Sequence, residues 1–378
     1  MIDFLKKFHK PKIEPLNYIH IHKKNILHNM KVLQSCQPDA ELFPVVKANA
    51  YGHGLKQIVK ILKNHSGKYI CVDSFPEYQV VKKYSEKKIL VLGETRSKNY
   101  KYYDFSRTTF CVYNRETIQY FIGLNKKAKI HLFLNTGMNR EGIQKRDLMD
   151  VLKLLQGSKV QLEGVCSHFS SADEPEIEVM EKQISLFKDM YEIIIAQNFV
   201  PKYRHIGASA ATFKMEDIFF NAFRPGMSVY GVNVLEKKDI FYKKAEKLKC
   251  AMDIYTTVIN SFSVESGESI SYNGTYKFDK KSNIVVIPFG YYEGFDRKLS
   301  NHYSVKIQGK YYPIRGRICM NLAMVDVGND AVKIGTQVEI LSHISSDKNS
   351  IYVMSEKSKT IPYESVVKIQ SNIRRKII

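Results

Sequence analysis

Over roughly the first 230 residues, short apolar runs alternate with longer stretches whose apolar positions recur every third or fourth residue. The runs YIHI, ELFPVVK, KYICVD, KILVLG, TTFCVY, KIHLFLN, LEGVCSHF and YRHIGA read as strands. Between them, LKQIVKILKNH, RDLMDVLKLLQ and EVMEKQISLFKDMYEIIIAQ have the spacing of amphipathic helices. Strand followed by helix, repeated, is the pattern of βα units around a parallel sheet, and eight such strands predict an α/β fold of the (β/α)8 barrel type. After GVNVLEKKD the texture changes to short alternating runs broken by Gly, Asn and Asp, such as SNIVVIPFGYY, YSVKIQ and QVEILSH. These predict a mainly antiparallel β domain. The expected division is a barrel over residues 1–240 and a β domain over 241–378.

Composition narrows the function classes. A chain of 378 residues that is 44% hydrophobic and 12% aromatic suits packed domains, not disorder. The start, MIDFLKKFHKPKIEP, lacks the apolar core and small-residue cleavage site of a secretory leader, and no apolar run has membrane-spanning length. A cytoplasmic protein with no membrane association is expected. The six cysteines stand singly, without a C-x-x-C pair, which fits reduced thiols and neither a disulfide frame nor a metal site. The net charge of +20 raises the question of nucleic acid, since a basic surface neutralises phosphates. Only 12 of the 58 basic residues are arginine, however, and the lysines come as scattered pairs such as Lys23-Lys24 and Lys280-Lys281, without a stripe of arginine and aromatics. A solvated surface is the expectation, with no nucleic-acid partner.

Candidate chemistry begins at VVKANAYGHG. Lys47 closes the second strand run, and strand C-termini of a barrel face its active site. With FPVV before it and Tyr51, Gly52 and Gly54 after it, the amine is expected in a poorly solvating place. Such an amine is depressed in pKa and suited to form a Schiff base.

The same segment resembles the pyridoxal-phosphate lysine motif of alanine racemases. NTGMNREG, SHFSSADE, HIGASAAT, FRPGMSVYG, SYNGTY, PFGYYEG and RGRICM continue the resemblance in order along nearly the whole chain. It implies a barrel followed by a β domain, pyridoxal 5'-phosphate as cofactor, a small amino-acid substrate, and a homodimer in which the β domain of one subunit completes the barrel site of the other. The implied reaction is two-base interconversion of L- and D-alanine, supplying D-alanine for peptidoglycan.

By the same resemblance Lys47 carries the cofactor and serves one face of the substrate's α-carbon, while Tyr272 serves the other. Two groups on opposite faces are what racemisation needs. Tyr51, Ser209, Gly226, Met227 and Tyr363 would bind the phosphate, and Arg224 would face the pyridine nitrogen. A guanidinium, with a pKa above ~12, donates a hydrogen bond there without giving up its proton. His168 and His205 match the histidines flanking that arginine, giving an expected chain Tyr272, His168, Arg224, His205; Tyr276 is the nearest competitor for the role of Tyr272. Arg140 and Met320 would bind the substrate carboxylate, with Tyr291 and Met320 narrowing the pocket toward a methyl side chain. The sequence departs from the family where Phe133 replaces a lysine that many members carry as a carbamate and where Asn135 and Asn321 replace aspartates; the expectation is that Arg140 is held by Asn135, by a bound anion, or less firmly. Two other enzymes fit less well: a racemase of serine or basic amino acids, and a barrel-type decarboxylase, which would set a carboxylate where Arg224 stands.

Overall fold

The computed structural model describes residues 13–378. The leader reading therefore concerns residues 1–12, outside the described part. The chain divides into two compact units: Ile21–Ala251 with Ile377–Ile378, and Met252–Lys376 with the segment ending at His20.

Strands β1 (Tyr18–Ile21), β2 (Glu41–Leu42), β3 (Tyr69–Val72), β4 (Lys88–Val91), β5 (Thr108–Val112), β6 (Lys129–Phe133), β7 (Gln161–Cys166), β8 (Tyr203–His205) and β9 (Ala222–Phe223) come first. In the larger unit β3 to β8 form a six-stranded parallel sheet in sequence order. A parallel bridge from Val45 to Cys71 joins the chain after β2 to β3. Pairing of β2 with β9 then extends the curl, and backbone bonds from Asn221 to Arg204 and from Arg224 to Gly207 bring β9 beside β8. Eight parallel strands thus make the barrel, as expected, but not the eight expected. YIHI is β1, which lies between β10 and β19 in a sheet of the smaller unit. The missing barrel strand is the two-residue β9.

Burial explains the exchange. β3 and β5 are buried at every position, as strands with a packed barrel interior and helices outside must be. β1 is buried at alternate positions, the signature of a sheet with one wet face. The barrel core is lined by Phe43, Val45, Tyr69, Cys71, Leu90, Cys111, Cys166 and Tyr203. All six cysteines are free, and burial pushes the thiols of Cys71 and Cys166 up, so those two are inert in the core.

The smaller unit is built on β10 (Met252–Thr257), β11 (Asn260–Val264), β12 (Ser269–Ile270), β13 (Tyr276–Lys277), β14 (Ser282–Ile287), β15 (Ser304–Ile307), β16 (Lys310–Pro313), β17 (Ala323–Gly328), β18 (Gln337–Leu341) and β19 (Arg374–Ile377). Its sheets have the orders β16-β15-β18-β10-β1-β19, β11-β14-β17 and β12-β13. The pairs β10–β18, β15–β16, β11–β14 and β14–β17 are antiparallel. Two short helices, Ile351–Lys357 and Pro362–Val367, are additions the alternation did not announce.

Candidate active site

Lys47 opens a turn with unusual backbone. Ala48, Asn49, Ala50 and Tyr51 all have φ between 50 and 55°, four consecutive non-glycine residues in the left-handed region. Each such residue costs on the order of 1–2 kcal/mol, and strain of this kind collects at functional sites. Local bonds hold the turn: Ala48 N–H donates to Glu77 Oε1 at 2.8 Å, Asn49 Oδ1 accepts from Leu55 N–H at 2.9 Å, and Gly54 N–H donates to the Asn49 carbonyl. Glu77 is itself fixed as the third residue of a capping box begun by Ser74.

The lysine amine is not desolvated as expected. Its side chain is 42% exposed, and Nζ lies 3.3 Å from Asp73 Oδ1 at the end of β3. The apolar run before Lys47 is buried behind it, leaving the amine among polar groups at the strand ends.

Tyr51 follows in the same turn. Burial first, then Cys71, Asp73 and Glu77, push its hydroxyl up to about 12, so it acts as a neutral donor. Gly226 stands against it: a Cβ on Gly226 would lie 2.6 Å from the Tyr51 hydroxyl. Ser209, the first residue of the short helix Ser209–Lys214, accepts from Gly226 N–H at 3.0 Å and from Ser228 N–H at 3.2 Å. Met227 is fully buried beside them. Tyr51, Ser209, Gly226 and Met227, scattered over the sequence, are thus gathered at one end of the barrel, by the loops leaving β2, β8 and β9.

Arg224 follows β9 and is 5% exposed. Its Nη1 donates to Nδ1 of His205 and, at 3.1 Å, to the His205 carbonyl. Its Nη2 donates to the carbonyls of Ser167 and Ile206 and lies 3.4 Å from Nδ1 of His168. Because a guanidinium has no lone pair to offer, His205 must present a bare Nδ1 to it. Burial, followed by Arg224, Arg140 and Lys47, brings His168 down to about 3; burial, Arg224 and His131 hold His205 well below its ordinary value. The expected sequence His168, Arg224, His205 is present in the barrel with both imidazoles neutral. Tyr272 belongs to the other unit.

Arg140 lies in the loop after β6. Its guanidinium is held edge-on by Glu141, through Nε to one carboxylate oxygen and through Nη2 to the other at 2.6 Å. Asn135, one of the expected holders, makes no hydrogen bond to it. Its Oδ1 accepts from Gly137 N–H and Asn139 N–H, and its Nδ2 donates to Asn139, so it shapes the loop backbone. Phe133 packs into the apolar barrel cluster and against Gly142, where a Cβ would come within 2.9 Å of its ring.

In the smaller unit, Tyr272 is 65% exposed on a turn whose Ser271, Asn273 and Gly274 all have positive φ. Ser271 Oγ ties that turn to the Arg317 carbonyl at 2.7 Å. Tyr276 is committed elsewhere: it packs on Phe278 with the Arg315 guanidinium 4.2 Å over its ring. Tyr291 and Met320 are adjacent, 45% and 56% exposed, through the bonds of Tyr291 N–H to Cys319 O and Tyr292 N–H to Met320 O. Asn321 Nδ2 donates to Glu293 Oε1 at 2.9 Å, a position where an aspartate would meet a like charge. Tyr363 lies in the helix Pro362–Val367 of this unit and is partly buried.

Sequence reasoning missed Asp73, Glu77, Glu141, His131 and Glu163. Asp73 and Glu163 had a signal, a carboxylate within or closing an apolar strand run; Glu141 had only its adjacency to Arg140.

An eight-stranded parallel barrel with its polar groups gathered at the strand C-termini, accompanied by a mainly-β unit, defines a barrel enzyme of two domains. Sequence models described as the alanine racemase N-terminal and C-terminal domains match residues 21–234 and 251–377. The chain is 32% identical over 372 residues to the alanine racemase of Borreliella burgdorferi, covering 95% of this chain and 96% of that one. It is 31% identical over 359 residues to alanine racemase 1 of Clostridium acetobutylicum, covering 93% and 92%. Among solved structures, the alanine racemase of Bacillus anthracis with bound L-Ala-P matches with a TM-score of 0.89 and 29% identity over 97% of this chain and 96% of that one. The alanine racemase of Bartonella henselae with covalently bound pyridoxal phosphate shares the fold, with a TM-score of 0.85 at 24% identity over 97% and 100%. The chain belongs to the alanine racemase family.

Proposed function

We propose that this protein racemises alanine with pyridoxal 5'-phosphate held on Lys47, as a cytoplasmic homodimer that draws Tyr272 from the partner subunit and supplies D-alanine for peptidoglycan. The observation that carries the reading is Arg224, a buried cation between two neutral histidines at the mouth of the barrel. A decarboxylase of this architecture would need an acid at that place.

The residues present fit the cofactor. The Tyr51 hydroxyl, the Ser209 hydroxyl and the backbone at Gly226 and Met227 are packed so closely that a Cβ on Gly226 has no room, and these groups would hold the phosphate. Tyr363 would add a further hydroxyl. When bound, pyridoxal phosphate supplies the electron sink that acidifies the substrate's α-C–H bond.

The chain's own groups do the rest. Lys47 Nζ takes or returns the α-proton on the face belonging to the D-isomer, and Asp73 beside it keeps the amine in place. Tyr272 of the partner subunit takes or returns it on the L face. Arg224 would offer a donor to the ring nitrogen and keep its own proton, while His168, being neutral, adds no charge beside it. Arg140, with Nε and one edge taken by Glu141, keeps the Nη1 end of its fork for the substrate carboxylate. Tyr291 and Met320 would narrow the pocket toward a methyl side chain. Rejecting one methylene is worth only ~1–3 kcal/mol, so larger substrates are slower, not excluded.

A chiral assay of the cofactor-loaded protein against the common amino acids tests this. Alanine should give the highest kcat/KM, with no carbon dioxide released. Faster turnover of serine or a basic amino acid, or decarboxylation, would contradict it. Borohydride reduction and peptide mapping should place the cofactor label on Lys47 and no other lysine.

A further inference from the structure

Behind Arg224 a line of polar side chains runs down the barrel interior. Nε2 of His205, at the end of β8, lies 2.7 Å from Nδ1 of His131, in the middle of β6. Nε2 of His131 lies 3.9 Å from Oε2 of Glu163, near the start of β7. Both imidazoles are fully buried. His131 sits between the rings of Tyr69 and Tyr203 at 5.9 and 5.7 Å. It is admitted by Gly164, whose Cβ would lie 2.7 Å from its ring.

Glu163 terminates the line with both oxygens engaged. Oε1 accepts from Lys68 Nζ at 2.9 Å and Lys129 Nζ at 2.8 Å; Oε2 accepts from the Tyr69 hydroxyl and from Thr109 Oγ1 at 3.1 Å. Burial raises this carboxyl, but the bonds from Lys129, Tyr69 and Lys68 outweigh it and hold the group well below its usual range, so it is a fixed anion. Burial brings His131 down to about 3, against the pull of Glu163, so a neutral ring faces that anion.

The direction of the line then follows from its ends. Arg224 can only donate, so Nδ1 of His205 accepts and its proton sits on Nε2. That proton faces Nδ1 of His131, which must accept, leaving the His131 proton on Nε2, toward the Glu163 anion. In the opposite order His131 would carry its proton on Nδ1, and His205 would then turn an N–H against the N–H of Arg224.

We propose that Glu163 and His131 are positioning residues for Arg224: the guanidinium at one end and the anion 3.9 Å beyond His131 Nε2 at the other favour the same tautomers of the two histidines, so that with both in place His205 offers a lone pair to the guanidinium. The assignment deepens the reading above, which gives Arg224 its purpose, but the line is a property of the chain by itself.

Its test is ¹⁵N NMR of histidine-labelled, cofactor-free protein near neutral pH, with the two rings assigned from the single variants His131→Gln and His205→Gln. Both rings should be neutral and protonated on Nε2 alone. In Glu163→Gln, with circular dichroism unchanged, His131 should show a measurable population protonated on Nδ1, since only the Arg224 end then favours the Nε2 form. A wild-type His131 carrying its proton on Nδ1, or either ring charged, overturns the proposal whether or not the variant folds. A folded Glu163→Gln protein in which both rings stay purely Nε2-protonated overturns the role of Glu163. Because no cofactor is present, these outcomes are independent of whether the protein racemises alanine.

Discussion

Arg140, proposed to bind the substrate carboxylate, shows how the surroundings of a single position can be rebuilt within a family. Where many relatives are expected to carry a carbamylated lysine, Phe133 fills the barrel cluster, and Glu141 grips Arg140 from the neighbouring position instead. Exposed ion pairs of this kind contribute only ~0.2–1 kcal/mol. Glu141→Leu should therefore raise the KM for alanine roughly 1.4- to 5-fold with kcat unchanged. An unaltered or lower KM would show that Glu141 orients nothing. Activity should also be the same in bicarbonate-free buffer, because no lysine stands at position 133; bicarbonate dependence would contradict that. At this scale the places of Lys47 and Arg224 at the strand ends were legible in their motifs, whereas the exposure of the lysine amine was not. The sequence was silent where the partner is fixed by folding, as for Asp73, which lies 26 residues from the lysine it meets.

Among the elements, the left-handed turn after Lys47 and the barrel strands carry the lesson. Ala48, exposed and at φ 53°, occupies a conformation that costs an alanine on the order of 1 kcal/mol more than a glycine. Ala48→Gly should stabilise the barrel by up to about that amount, less the entropy glycine gains on unfolding; a large loss of stability would mean that the Ala48 side chain has a packing role. Gly226→Ala acts in the other direction. Its methyl would collide with Tyr51, so the apparent Kd for pyridoxal phosphate, followed by absorbance, should rise at least about tenfold, the equivalent of ~1.4 kcal/mol. Barrel and β unit were legible from periodicity because most strands run four to six residues with consistent burial. β9 was not, since two residues carry no period. β1 was misplaced although its alternation of Ile19 and Ile21 with Tyr18 and His20 already marked a half-buried strand.

For the whole molecule, the buried histidines set an acid limit. His65 is brought down to about 4, and His131 and His168 to about 3, in each case chiefly by burial. Unfolded histidine takes its proton near 6.5, so below that pH the unfolded chain binds more protons than the native one and stability falls as pH falls. Each such histidine removes about 1.4 kcal/mol per pH unit between its unfolded and folded values. The thermal midpoint should drop steeply from pH 6.5 to 4, and His168→Asn should flatten that slope; a flat profile for the unmodified protein would contradict the neutral imidazoles. No helix among the described residues is long and apolar enough to cross a membrane. The claim that organises the account is that Lys47 and Tyr272 of the partner subunit serve opposite faces of one substrate, and α-proton exchange in deuterated water tests it most directly. Tyr272→Phe should still exchange the α-proton of D-alanine while exchange of L-alanine falls by about 10²- to 10⁴-fold. Mixed with Lys47→Ala subunits, it should regain racemisation through hybrid dimers that hold one intact site. Equal loss of exchange for both isomers, or no recovery in mixed dimers, would contradict the two-base, two-subunit assignment.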